Sequence, residues 1–135
     1  MKGRKLLKMF LCVVILLGMV VAVQAGTRGV SKNQIVVGTH TALSGPVAGW
    51  GIDATNGVRM RFDEANEAGG IYGRKIKYIV EDSQYRVPIA VQKANKLVNR
   101  DKAFFLIASI GTPMNNAIFP MLKKKNVPNL FPFTA

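Results

Sequence analysis

Short apolar runs alternate with longer amphipathic stretches, and this alternation predicts the elements. Gln34 to Thr39 (QIVVGT) is β-branched and apolar and closes on Gly and a polar residue, which predicts a buried strand. Ala42 to Gly51 (ALSGPVAGWG) is rich in Gly, Pro and Ser and predicts a loop. Ala54, Val58, Phe62 and Ala65 then recur at i, i+4, i+8 and i+11, one face of a helix that Gly69-Gly70 stops. Lys75 to Val80 alternates polar and apolar residues, a second strand ending at Glu81-Asp82. Val87, Ala90, Val91, Ala94, Leu97 and Val98 form the most regular helical stripe, with Pro88 in a first turn that needs no N–H. Ala103 to Ala108 (AFFLIA) predicts a strand buried on both faces, and Ser109 to Pro113 a turn. Met114, Ala117, Ile118, Met121 and Leu122 make a third helical face. Pro120 removes one of its hydrogen bonds, and Lys123, Lys124 and Lys125 suit its C-terminal end. Val127 to Phe133 predicts a fourth strand in which Pro128 and Pro132 limit pairing.

The order β-α-β-α-β-α-β predicts an α/β fold, an open parallel sheet with helices on both faces. It stops at the fourth strand with no covering helix after it, so we expect residues 26–135 to be the front of a longer protein. No internal repeat interrupts the pattern.

Ahead of these elements the pattern changes. Lys2, Arg4, Lys5 and Lys8 precede a run from Met9 to Val23 without charged or strongly polar side chains, and Val23-Gln24-Ala25 follows. This is the order of a secretory signal peptide cleaved after Ala25. The run is shorter than the roughly 20 residues of a spanning helix. Cys12, the one Cys, lies early in it and none follows, which argues against a lipid-bearing N-terminus. Residues 1–25 are thus read as a signal peptide, and the protein as exported and soluble, periplasmic or otherwise extracytoplasmic.

Composition narrows the chemistry. The 135 residues contain 19 Lys and Arg against 7 Asp and Glu, a net charge of +12. The first 25 residues take four positive charges with them, leaving 15 against 7 and a net +8. An apolar share of 49% is that of a globular chain. A single Cys and a single His exclude a disulfide framework, a Cys-cluster zinc site and a multi-His metal site. The cations are spread over helix faces and turns without a recognised nucleic-acid motif, so no nucleic-acid partner is expected.

The usual catalytic and cofactor signatures are missing. After the first strand stands Gly38-Thr39-His40-Thr41-Ala42-Leu43-Ser44-Gly45, which is neither G-x-G-x-x-G nor a P-loop. No G-x-S-x-G elbow occurs. His40 reads as a hydrogen-bonded structural histidine, Asp63-Glu64 as a solvated helix face, and Glu81-Asp82 as an anchor for the turn after its strand. No metal and no cofactor are expected.

Geometry supplies the candidate site. In open α/β sheets ligands sit beyond the carboxyl ends of the strands, where strand order switches. That selects loops 41–51, 109–113 and 133–135, with Ser44, Trp50, Ser109, Thr112, Phe133 and Thr134. Thr112 opens the third helix, where its hydroxyl and free N–H groups suit a carboxylate, or where it serves as a helix cap. Trp50 and Phe133 each read as a ligand wall or as core.

The motifs together resemble a family. Leu43-Ser44-Gly45-Pro46, Trp50-Gly51, Ala68-Gly69-Gly70-Ile71-Tyr72-Gly73-Arg74-Lys75-Ile76, Glu81-Asp82-Ser83 and Ala94-Asn95-Lys96-Leu97-Val98 occur in one order and spacing. Over residues 34–135 this resembles the periplasmic leucine/isoleucine/valine-binding proteins of branched-chain amino acid ABC transporters, of the type I periplasmic binding fold. The resemblance implies two α/β lobes closing on a ligand, of which residues 26–135 form the incomplete N-terminal part of the first. It implies ligand contacts from Trp50, where Tyr is usual, and a carboxylate bond from Thr112. It also implies contacts from Phe133 through its carbonyl and from Ala135, where a Thr hydroxyl is usual. Ala135 departs from the leucine-type pattern, and the bulkier Trp50 and Phe133 point to a different ligand, aromatic or less polar.

The reading is a solute-binding component of an ABC importer, not an enzyme, for an amino acid or related small carboxylate. Its candidate ligand-binding residues are Trp50, Ser109, Thr112, Phe133 and Ala135, and its second partner is a membrane permease. The rival readings are a ligand sensor of the same fold and an α/β enzyme whose catalytic residues lie outside this segment.

Overall fold

The computed structural model describes residues 26–133. The signal-peptide reading of residues 1–25, with Cys12, lies outside the described residues, as do Thr134 and Ala135.

The β-branched run forms β1 (Gln34–Thr41), which is followed by α1 (Ala48–Glu67) and β2 (Lys75–Asp82). Then come α2 (Val87–Asn95), which continues as a π-helical turn over Lys96–Arg100, β3 (Phe105–Ile107), α3 (Thr112–Lys125) and β4 (Asn129–Leu130). All pairings are parallel, in the order β2-β1-β3-β4. Gln34 to Thr41 pairs residue by residue with Lys75 to Asp82, and Val37 and Gly38 pair with Phe105 and Leu106. The chain thus steps from β1 to one side, then crosses to the other.

Helices cover both faces because the strand side chains alternate. On one face Ala94, Leu97 and Val98 pack with Leu106, Ile118, Leu122 and Val127 in the main core. Burying a side chain such as Leu97 or Ile118 contributes about 1.5–3 kcal/mol. Gly38 belongs to this face, where the Leu97 side chain occupies the space of a Cβ. On the other face α1 lies against β1 and β2: Phe62 meets Tyr78 edge to face at 5.3 Å, and Gly51 presses on the end of β1. Glu81 binds Lys93 at 3.0 Å and also pairs with Lys96, tying β2 to α2.

Several boundaries differ from the sequence pattern. β1 and β2 each run two residues further, through the polar ends that carry His40, Thr41, Glu81 and Asp82. The segment expected to be a loop to Gly51 turns helical at Ala48. β3 is shorter than Ala103–Ala108, and only its Leu106 is fully buried. Phe105 and Ile107 are half-buried, because they point to the sheet face that α1 shields over β1 and β2. Pro120 does not break α3. β4 is reduced to two residues between Pro128 and Pro132, with one further bridge from Ile110 to Phe133.

Candidate functional site

The strand order reverses between β1 and β3, so a crevice opens beyond their carboxyl ends. Three loops meet there. Asp82 at the end of β2 accepts hydrogen bonds from the Leu43 amide at 3.0 Å, the Ser44 hydroxyl at 2.6 Å and the Gln84 amide at 2.8 Å. Desolvation works to raise its pKa, and these hydrogen bonds outweigh it, holding the carboxyl below the usual aspartate range. This is the anchoring role expected of the Glu81-Asp82 pair. Ser83 reinforces it by donating to the Thr41 carbonyl at 2.8 Å.

The loop leads into α1, whose Gly51 lets the helix approach the sheet. A Cβ there would lie 2.0 Å from the Ala42 carbonyl oxygen. This contact fixes the first turn, and Trp50 stands on it with 56% of its surface exposed. Trp50 is therefore not a core residue among the described contacts.

The turn between β3 and α3 is built around Gly111, whose φ of 99° favours glycine. Thr112 is the first residue of α3 rather than its cap. Gly111 holds the cap position, and no side chain caps the helix. Pro113 has no N–H, so the first turn offers the amides of Thr112 and Met114. The backbone of this turn is stitched to the segment after β4. Gly111 N–H donates to the Phe133 carbonyl at 2.8 Å, and Phe133 N–H donates to the Ser109 carbonyl at 3.1 Å. Thr112 and Phe133 consequently line one cavity of about 180 Å³, together with Asn115, Asn116, Phe119 and Pro132. A larger open groove of about 680 Å³ adjoins it, sharing Asn116 and Phe119 and running on past Val127, and another of about 660 Å³ lies on the outer face of α1.

The other candidates are placed differently. Ser109 is fully buried and its hydroxyl has no hydrogen-bond partner. Ala135 lies outside the described residues. His40 is fully buried, but not hydrogen-bonded as expected: neither ring nitrogen meets a partner of good geometry. Burial pushes its pKa down to about 4, opposed by the neighbouring Asn115 side chain. Among the described residues no three His, Cys, Asp or Glu side chains come together as a metal site. The sequence reading missed Asn115, which is buried at the start of α3. The one signal was a polar residue flanked by Met114 and Ile118 on a buried stripe.

Comparison with known proteins agrees with this architecture. The family model described as periplasmic binding protein matches residues 34–135. A leucine-specific-binding protein of Salmonella typhimurium is 39% identical over 75 residues, which cover 56% of this chain and 20% of that protein. The branched-chain amino acid transporter substrate binding protein of Streptococcus pneumoniae, solved with isoleucine, is similar with a TM-score of 0.72. It shows 25% identity, with 76% of this chain and 30% of that one covered. A fatty acid ABC transporter substrate-binding protein from Thermomonospora curvata matches with a TM-score of 0.67 at 25% identity, covering 75% of this chain and 26% of its own. The chain therefore spans about a fifth to a third of the length of these relatives. The family model covers all four strands, and the chain belongs to the periplasmic binding protein family.

Proposed function

We propose that residues 26–135 form the N-terminal part of the first lobe of an extracytoplasmic solute-binding component of an ABC importer, preceded by a signal peptide over residues 1–25. The ligand is an amino acid or related small carboxylate. One observation carries this reading: Thr112 and Phe133 line a single cavity at the carboxyl edge of the sheet, beside the β1/β3 switch point.

The chemistry is recognition without bond cleavage. The Thr112 hydroxyl and the amides of the first turn of α3 hold a carboxylate, helped by the positive end of the helix. Phe133 packs the ligand's apolar part, and the exposed Trp50 supplies a second aromatic surface when the lobes close. Closure signals occupancy to a membrane permease. The relatives support the ligand class, since one was solved with isoleucine and another serves a fatty acid transporter, and both ligand types carry a carboxylate.

Calorimetry of the intact protein against amino acids, aromatic acids and short fatty acids tests the reading. Saturable binding of at least one small carboxylate is expected. Absence of binding across the panel, or turnover of a bound member, contradicts it.

A further inference from the structure

Asn115 is 4% exposed, and its side chain bonds both the turn before α3 and strand β4, which leads to Phe133. Its Nδ2 donates to the Ser109 carbonyl and to the Gly111 carbonyl, each at 2.9 Å. Its Oδ1 accepts from Nδ2 of Asn129 on β4, also at 2.9 Å.

These carbonyls do not need the side chain for their satisfaction. Ser109 already receives the Phe133 amide, and Gly111 already receives the backbone amide of Asn115. What the side chain adds is direction, since one planar amide fixes two carbonyls of the turn and a residue of the next strand at once. We infer that Asn115 is a positioning residue, holding the turn before α3 and the segment after β4 in the register that places Thr112 opposite Phe133. The inference rests on the site proposed above, and it deepens that site by naming what sets its shape.

The test replaces Asn115 by a side chain of the same branching without the three hydrogen bonds, Asn115→Leu, in the intact protein. Hydrogen exchange is followed at the Gly111 and Phe133 amides, with Leu106, which donates to the Pro128 carbonyl in the core, as the reference. Exchange at Gly111 and Phe133 is expected to accelerate at least tenfold more than at Leu106. Affinity for the ligand found by calorimetry is expected to fall about tenfold. Ile118→Val, a buried change in the same helix away from the tie, is expected to lower stability and leave affinity unchanged. Equal acceleration at all three amides overturns the inference, and so does unchanged affinity despite a loosened turn. If the wild-type protein binds no carboxylate, the site reading fails while the exchange pattern still decides the tie. Asn115→Ser carries the same comparison should the leucine variant not fold.

Discussion

The Ser44 hydroxyl donates to the Asp82 carboxylate at 2.6 Å across 38 residues of sequence. The bond joins the loop after β1 to the end of β2, so a carboxylate on β2 sets the approach to α1. With the Leu43 and Gln84 amides it gives Asp82 three donors.

Asp82→Asn keeps the size and removes the charge that organises those donors. We expect a loss of roughly 1–2 kcal/mol at neutral pH, since hydrogen bonds to a charged group contribute more than neutral ones. Because the folded carboxyl sits below its usual value of 3.8, the contribution is present above that pH and fades as pH falls through the folded value. Urea unfolding of both forms at neutral pH checks the magnitude. An unchanged midpoint at equal slope contradicts it.

His40 gives the opposite group the same direction of pH dependence. Its folded pKa of about 4 lies below the ordinary 6.5, so the folded protein excludes a proton that the unfolded chain accepts. Its stabilisation is complete above 6.5 and is lost as pH falls toward 4. Between pH 7.5 and pH 5 the linkage amounts to about 2 kcal/mol. His40→Gln, which does not titrate, is expected to flatten that part of the stability profile. A variant as acid-sensitive as the parent would show that other groups govern it.

Two glycines of α1 should respond in opposite senses to one substitution. At Gly51 a Cβ meets the Ala42 backbone and the Thr41 hydroxyl, whereas at Gly57 nothing lies within 4 Å. Gly51→Ala should destabilise by about 1–3 kcal/mol through overpacking. Gly57→Ala should stabilise by about 0.5–1 kcal/mol through helix propensity. Thermal melts of the two variants suffice, and equal shifts of one sign contradict the close approach.

Thr112 makes no capping bond, so removing its hydroxyl should not affect the fold. Thr112→Ala is expected to leave the melting temperature within about a degree and to weaken ligand binding by roughly 1–3 kcal/mol. Calorimetry and a melt on the same sample separate the two effects. A large loss of stability with unchanged affinity would make Thr112 structural.

Much of the fold was legible because hydrophobic period reports burial. Ala90 and Ala94 of α2 and Leu97 and Val98 of its π-helical continuation are buried as their spacing required, and Ile118 and Leu122 likewise. The start of α1 was illegible because it depends on a backbone contact. Gly51 reads as loop punctuation in sequence, but in space it permits helix and strand to touch. β3 read as buried on both faces, since an apolar run records composition and not which neighbours are present. Within the site, Thr112 and Phe133 were reachable from strand-end geometry and share a cavity. Asn115 was not, because its three bonds join residues 109, 111 and 129, a relation that no local pattern contains.

The central claim is that a small carboxylate seats against the first turn of α3. An amide chemical-shift titration of the isotope-labelled intact protein, with the carboxylates of the panel, tests it most directly. Saturable shifts are expected at Thr112, Met114 and Phe133, with Lys123 to Lys125 at the far end of the helix unmoved. Shifts confined to residues elsewhere, or none with any member of the panel, would contradict it.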